Sequence, residues 1–196
     1  MMNHKAHSFL ATLHAADCPL NTFDSMTSDD VVLASPLTTP GYAVDGAATL
    51  GVLNCSEDEW HHGQELGLVN FEKSSAVQPL LLYFRHSEDG YRLYVRSGAH
   101  LRKGIFATAH GLVEAKRIEQ QDPTAWKITE ASSGNAFDPT TSEVDQVDIK
   151  LESKAGPWGR HALYPVGDYS VCHANAVGRS FKLVIQERNV DWLKPA

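Results

Sequence analysis

Alternation of apolar and polar positions dominates this chain. In YRLYVR, Tyr91, Leu93 and Val95 fall on one side and Arg92, Tyr94 and Arg96 on the other; in AWKITE, Trp126, Ile128 and Glu130 share a face and Lys127 and Thr129 take the opposite one. A period of two belongs to a strand with one face on a core. Short runs of this kind, bounded by Gly, Pro, Asn, Asp and Ser, recur along the whole sequence. They predict strands at Phe9–His14, Pro19–Phe23, Val31–Ala34, Tyr42–Val44, Thr49–Asn54, Leu66–Glu72, Leu80–His86, Tyr91–Arg96, Leu101–Gly104, Leu112–Lys116, Ala125–Glu130, Val147–Glu152, Tyr169–His173 and Phe181–Gln186. No stretch of a dozen residues carries a helical apolar stripe. The expected class is all-β, a barrel or sandwich of short antiparallel strands in one compact domain over residues 1–196.

The pattern also repeats. Y-x-L-x-V, H-L-R-K-G, G-L-V-E-A and A-W-K-I between Tyr91 and Ile128 echo F-L-A-T-L, P-L-N-T-F, V-V-L-A and Y-A-V between Phe9 and Val44. Phe9 matches Tyr91, Leu20 matches Leu101, and Trp60 matches Trp158 further on. An internal duplication of 8–86 and 90–186 is expected, and a two-fold duplicated sandwich or barrel is the alternative architecture it suggests. Trp60, Trp126, Trp158, Tyr42, Phe71 and Phe84 are the large residues expected to fill the shared core.

Gly90 to Ala131 resembles one lobe of a β-trefoil of the fascin-like, ricin-B-like or amaranthin-like type. The matching residues are Tyr91-x-Leu93, Gly98-x-x-Leu101, Gly111-x-Val113-x-Ala115, Pro123 and Trp126-x-Ile128. Thr124-Ala125-Trp126 stands where ricin-type lobes carry Gln-x-Trp. The resemblance implies a β-trefoil-like barrel and a binding module, since such proteins engage sugars, actin or proteases through surface loops.

Charge narrows the partners. The formal net charge is -7 and there is no basic run, so nucleic acid is an unfavourable partner. The longest apolar run, Pro79–Phe84, is far too short for a membrane span. The N-terminal residues do not read as a signal peptide, so the expected location is cytoplasmic, or outside by a route without a cleavable signal. Cys18, Cys55 and Cys172 are widely spaced and contain no CxxC, which argues against a disulfide framework or a zinc ribbon.

Candidate chemistry concentrates in two places. Glu57, Asp58, Glu59, Trp60, His61 and His62 form one cluster, and Asp168 with Tyr169 a second. A ring beside a carboxylate suits a sugar: the ring stacks on the C–H face of a pyranose and the carboxylate accepts its hydroxyls. Asp58, Trp60, His62, Asp168 and Tyr169 are therefore the candidate ligand-binding residues. HHGQE lacks a second spaced pair, and HExxH is absent, so no metal is expected. No G-x-S-x-G elbow, P-loop or dinucleotide fingerprint occurs, so no catalytic residue or cofactor is assigned. The leading expectation is a non-enzymatic carbohydrate-binding protein in a lectin-like or toxin-accessory role. A protein-binding or protease-inhibitor module acting through a loop such as Asn54–Gln64 or Ala131–Gln146 is the first alternative. An enzyme using His and Asp or Glu from several strands is the second.

Overall fold

The strands of the computed structural model, which describes residues 3–27, 31–37, 43–69 and 77–191, follow the alternating segments closely. They are β1 (Phe9–Ala15), β2 (Cys18–Pro19), β3 (Asn21–Thr22), β4 (Val32–Ala34), β5 (Ala43–Asp45), β6 (Leu50–Val52), β7 (Leu82–Ser87) and β8 (Gly90–Val95). There follow β9 (Gly104–Ala107), β10 (Val113–Lys116), β11 (Ala125–Glu130), β12 (Gln146–Ser153), β13 (Gly156–Leu163), β14 (Gly167–Cys172) and β15 (Ser180–Arg188). One α-helix, α1 (Glu57–Glu65), lies between β6 and β7.

Six of these strands close an antiparallel barrel. β1 pairs with β7, β7 with β8, β8 with β11, β11 with β12, β12 with β15, and β15 returns to β1. Closure leaves the barrel no free edge. The alternation decides what faces inward: Phe9, Ala11 and Leu13 from β1, Leu93 and Val95 from β8, and Trp126 and Ile128 from β11 all join the buried cluster. Phe9 stacks on Phe84 at 4.7 Å between centroids, and Phe137 meets Phe9 edge-on at 5.8 Å. Phe137 belongs to the β11–β12 connection, so that segment plugs the mouth where β1 begins. Trp126 and Trp158 lie 4.8 Å apart deeper in the core.

The other end is covered by the segments between the barrel strands. The hairpins β9–β10 and β13–β14 and the strand β6 meet there, joined by β6–β14 pairing and by the bridges Thr49–Glu114 and Leu112–Val171. A second apolar cluster, with Phe23, Met26, Leu33, Leu112, Tyr169 and Val171, fills the space beneath this cap. A polar strut ties two of the segments. Asp24, in a single 3-10 turn over Phe23–Ser25, bonds Nε2 of the buried His100, and Lys103 Nζ donates to His100 Nδ1 at 2.8 Å. An ammonium only donates, so Nδ1 is the acceptor and Nε2 carries the proton given to Asp24.

Several expectations need correction. Asn54–Gln64, expected as a loop, contains most of α1, and no strand begins at Leu66, where the helix ends. The strand expected at Leu101–Gly104 instead runs over Gly104–Ala107, because the N–H groups of Leu101, Arg102 and Lys103 turn back to the carbonyls of Gly98, Val95 and His100. β13 was not expected at all. Trp126, Trp158 and Phe84 do fill the main core, whereas Trp60 is buried in a separate cluster; Tyr42 and Phe71 lie outside the described residues. Among the described residues no helix is long and apolar enough to cross a membrane.

Candidate functional site

The helix α1 exists because its ends are well specified. Ser56 Oγ accepts from Glu59 N at 3.3 Å, and Glu59 Oε2 accepts from Ser56 N at 2.8 Å, a reciprocal capping box. Glu57, Asp58 and Glu59 in the first turn complement the helix dipole. Gly67, at φ +70°, ends the helix: its N–H bonds Gln64 O and that of Leu68 bonds Gly63 O.

Only one narrow stripe of this helix is apolar. Trp60 and Gly63, three residues apart, turn toward the tip of the β13–β14 hairpin. Trp60 is 3% exposed and packs with Val69 and Val166, flanked by Leu53, Cys55, Leu68 and Leu163. Gly63 lies so close to Val166 that a Cβ there would sit 2.2 Å from Val166 Cγ1. A second link fixes the approach: Asp168 Oδ2 accepts from Asn54 Nδ2 and from Arg160 Nη1, both at 3.1 Å. The two clusters expected from sequence are thus neighbours in space.

Within them the five candidate residues have different fates. Asp58 and His62 are exposed on the solvent face of α1. Trp60 is its buried underside. Asp168 is partly exposed and committed to Arg160 and Asn54. Tyr169 follows Asp168 on β14 and so points to the opposite face. It is 7% exposed, its hydroxyl donates to Ala34 O at 3.1 Å, and burial raises its pKa. Neither the Trp60 ring nor the Tyr169 ring offers an open face.

The exposed ring at this surface is Tyr164, at the tip of the β13–β14 hairpin and 74% exposed. Its centroid lies 6.3 Å from that of His62. His62 Nδ1 in turn stands 3.4 Å from Glu65 Oε2, and His61 Nδ1 stands 3.3 Å from Gln64 Oε1. The surface therefore combines a free aromatic face, two imidazoles, an amide and several carboxylates. Sequence reasoning missed Tyr164 because Tyr-Pro-Val-Gly reads as an unremarked turn; a tyrosine at a turn apex was the available signal.

Other histidines sit elsewhere. His173 is buried, and neither ring nitrogen has a hydrogen-bond partner among the described residues; its ring stacks against His161 at 6.2 Å. Cys172 is also buried; its Sγ lies 3.0 Å from Gly156 O, and burial raises its pKa, as for an inert thiol. Among the described residues, no group of three or more His, Cys, Asp or Glu is arranged to hold a metal ion. No family model matches the chain, and no curated protein or solved structure matches it either.

Proposed function

We propose that this protein is a β-trefoil binding protein, without catalytic activity, that takes carbohydrate on the solvent face of α1 and the tip of the β13–β14 hairpin. The trefoil reading rests on strand order. The barrel strands come in three successive pairs, β1 with β7, β8 with β11 and β12 with β15, and each pair brackets one capping segment. That is the order three lobes about a common axis would give.

The observation that carries the ligand class is Tyr164. A large aromatic ring left three-quarters exposed at a hairpin tip has no role in the core, and it stands beside His62 and the acidic face of α1. The ring would stack on a pyranose face, while His62, Gln64 and the carboxylates of Asp58 and Glu65 would exchange hydrogen bonds with its hydroxyls. Trp60 and Asp168 support this surface from beneath and beside it.

The test is a broad glycan-array screen of the purified protein, followed by titration of any hit against Tyr164→Ala. A sugar-competable hit that weakens about tenfold in the variant, equivalent to ~1.4 kcal/mol, supports the reading. No binding across the array, or hits indifferent to Tyr164, overturns it.

A further inference from the structure

A second site lies over the outer face of the β7–β8 hairpin, away from α1. A cavity of about 510 Å³ opens between the N-terminal segment, the β7–β8 hairpin and the chain after β15. This is a size that suits a small ligand. Its wall contains an arrangement that costs energy without a ligand. Arg85 and Arg92 are direct cross-strand partners on β7 and β8, and both face the cavity. Like charges directly opposite on a ladder repel. Arg92 is held by Asp89 at 2.8 Å and by Pro123 O. No carboxylate lies within 4.0 Å of the Arg85 guanidinium among the described residues.

Two histidines line the rim of the same cavity from the other face of the hairpin, since His86 follows Arg85 on β7 and pairs with the inward-facing Tyr91. His4 and His86 face each other with their Nδ1 atoms 3.0 Å apart, so one nitrogen donates to the other and the pair shares a single proton there. His7 packs on His86 at 5.0 Å between centroids and stands 3.3 Å from Asp138. Burial, then the nearby His7 and His4, hold the pKa of His86 below its ordinary 6.5. The phenols of Tyr83 and Tyr91 have raised pKa values and stay neutral. Among the described residues, the fixed charges lining the cavity balance at neutral pH: Lys5, Arg85 and Arg92 against Glu88, Asp122 and Asp191. Asp89 and Asp138, at its margin, are engaged by Arg92 and His7. Protonation of His86, which burial and the neighbouring histidines oppose, would tip this balance to positive.

We propose that this cavity binds a tetrahedral oxyanion, free or as a sulfate or phosphate monoester, and that it does so under mildly acidic conditions. Arg85 and Arg92 supply the charged fork that recognises such groups. A protonated His86 adds positive charge at the rim of the same cavity. The anion provides the opposite charge that makes protonation of His86 favourable, so proton uptake and anion binding reinforce each other. This site is independent of the Tyr164 surface.

The test is calorimetric titration of the full chain with inorganic sulfate, which stays dianionic across the range, at pH 5.5 and 7.5 and constant ionic strength. The expected result is saturable binding at least about tenfold tighter at pH 5.5. Arg85→Glu, at an exposed position, should weaken it by about tenfold or more. His86→Asn should bind with an affinity that no longer rises on acidification. Tyr164→Ala should bind sulfate normally, which separates this site from the proposed carbohydrate surface. A hexose 6-sulfate that binds as sulfate does marks a free-anion site; tighter binding marks an ester site, and either supports the proposal. No saturable binding at pH 5.5, or an affinity unchanged in Arg85→Glu or equally pH-dependent in His86→Asn, overturns it.

Discussion

Gly63→Ala tests how α1 is seated. Taken alone, this substitution should help: alanine is the better helix residue by about 1 kcal/mol. The packing opposes it. The added Cβ would lie 2.2 Å from Val166 Cγ1, and Val166 is fully buried. Ordinary carbon contacts are near 3.5–4.0 Å, so helix and hairpin tip must separate by roughly 1.3 Å or more. Val166 cannot swing aside cheaply, because a β-branched side chain is stiff at χ1. Overpacking of this kind costs about 1–3 kcal/mol. The net expectation is a loss of about 1 kcal/mol, read by urea unfolding at unchanged m-value. Val166→Ala removes the obstructing methyl. In that background Gly63→Ala should change sign and stabilise, giving a coupling energy of about 2 kcal/mol in the double-mutant cycle. Gly63→Ala stabilising the otherwise unaltered protein would refute the docking of α1 on the hairpin. The geometry of the proposed carbohydrate surface would fall with it.

Two further outcomes concern the remaining polar groups. His100→Gln should cost about 2 kcal/mol, since it disrupts charge-assisted bonds to both Asp24 and Lys103 in a buried strut; a loss under about 0.5 kcal/mol in urea unfolding would show that the strut is not stabilising. Acid should weaken the fold well above the carboxylate range. His14, His86 and His173 all have pKa values below the ordinary 6.5, with burial the first cause in each. Below pH 6.5 the unfolded chain takes up protons that the folded chain refuses, so stability falls from there downward until the lowered folded values are passed. The slope is at most about 1.4 kcal/mol per pH unit for each such histidine. His173→Leu should remove one share of that slope and, because neither nitrogen has a partner, should cost little at pH 7.5; unchanged acid sensitivity in thermal melts from pH 7.5 to 5 would contradict this.

The barrel was the legible part of the sequence, and the reason is physical. Barrel strands have one face on a core and one in water, so their alternation is written directly into YRLYVR, AWKITE and FLATLHA. β13 carries no such signal. GPWGRHAL contains two glycines, a proline and charged positions, and it reads as turn material. It forms a strand because β14 pairs along six of its residues and because Trp158 is anchored between Trp126 and Phe181. Those contacts come from distant chain segments and leave no local trace. α1 was hidden for a different reason. Nine residues are too few for a periodicity search, and mean polarity is high, yet its capping box Ser56-x-x-Glu59 was there to be read.

The same distinction explains why the candidate site was half visible. An acidic cluster with a tryptophan and two histidines looks from sequence like a ring presented among hydrogen-bonding groups. Once the segment is helical, the logic inverts. A short polar helix can stay folded only by burying what little apolar surface it has, so Trp60 must go inward and its polar neighbours outward. Likewise, a strand places Asp168 and Tyr169 back to back, and the deeper cluster claims the ring. The aromatic that remains for solvent is Tyr164, contributed by the hairpin on which the helix rests. The surface is therefore assembled by contacts such as Asn54–Asp168, 114 residues apart. No local reading could give it: which ring is free depends on which rings the core has already taken.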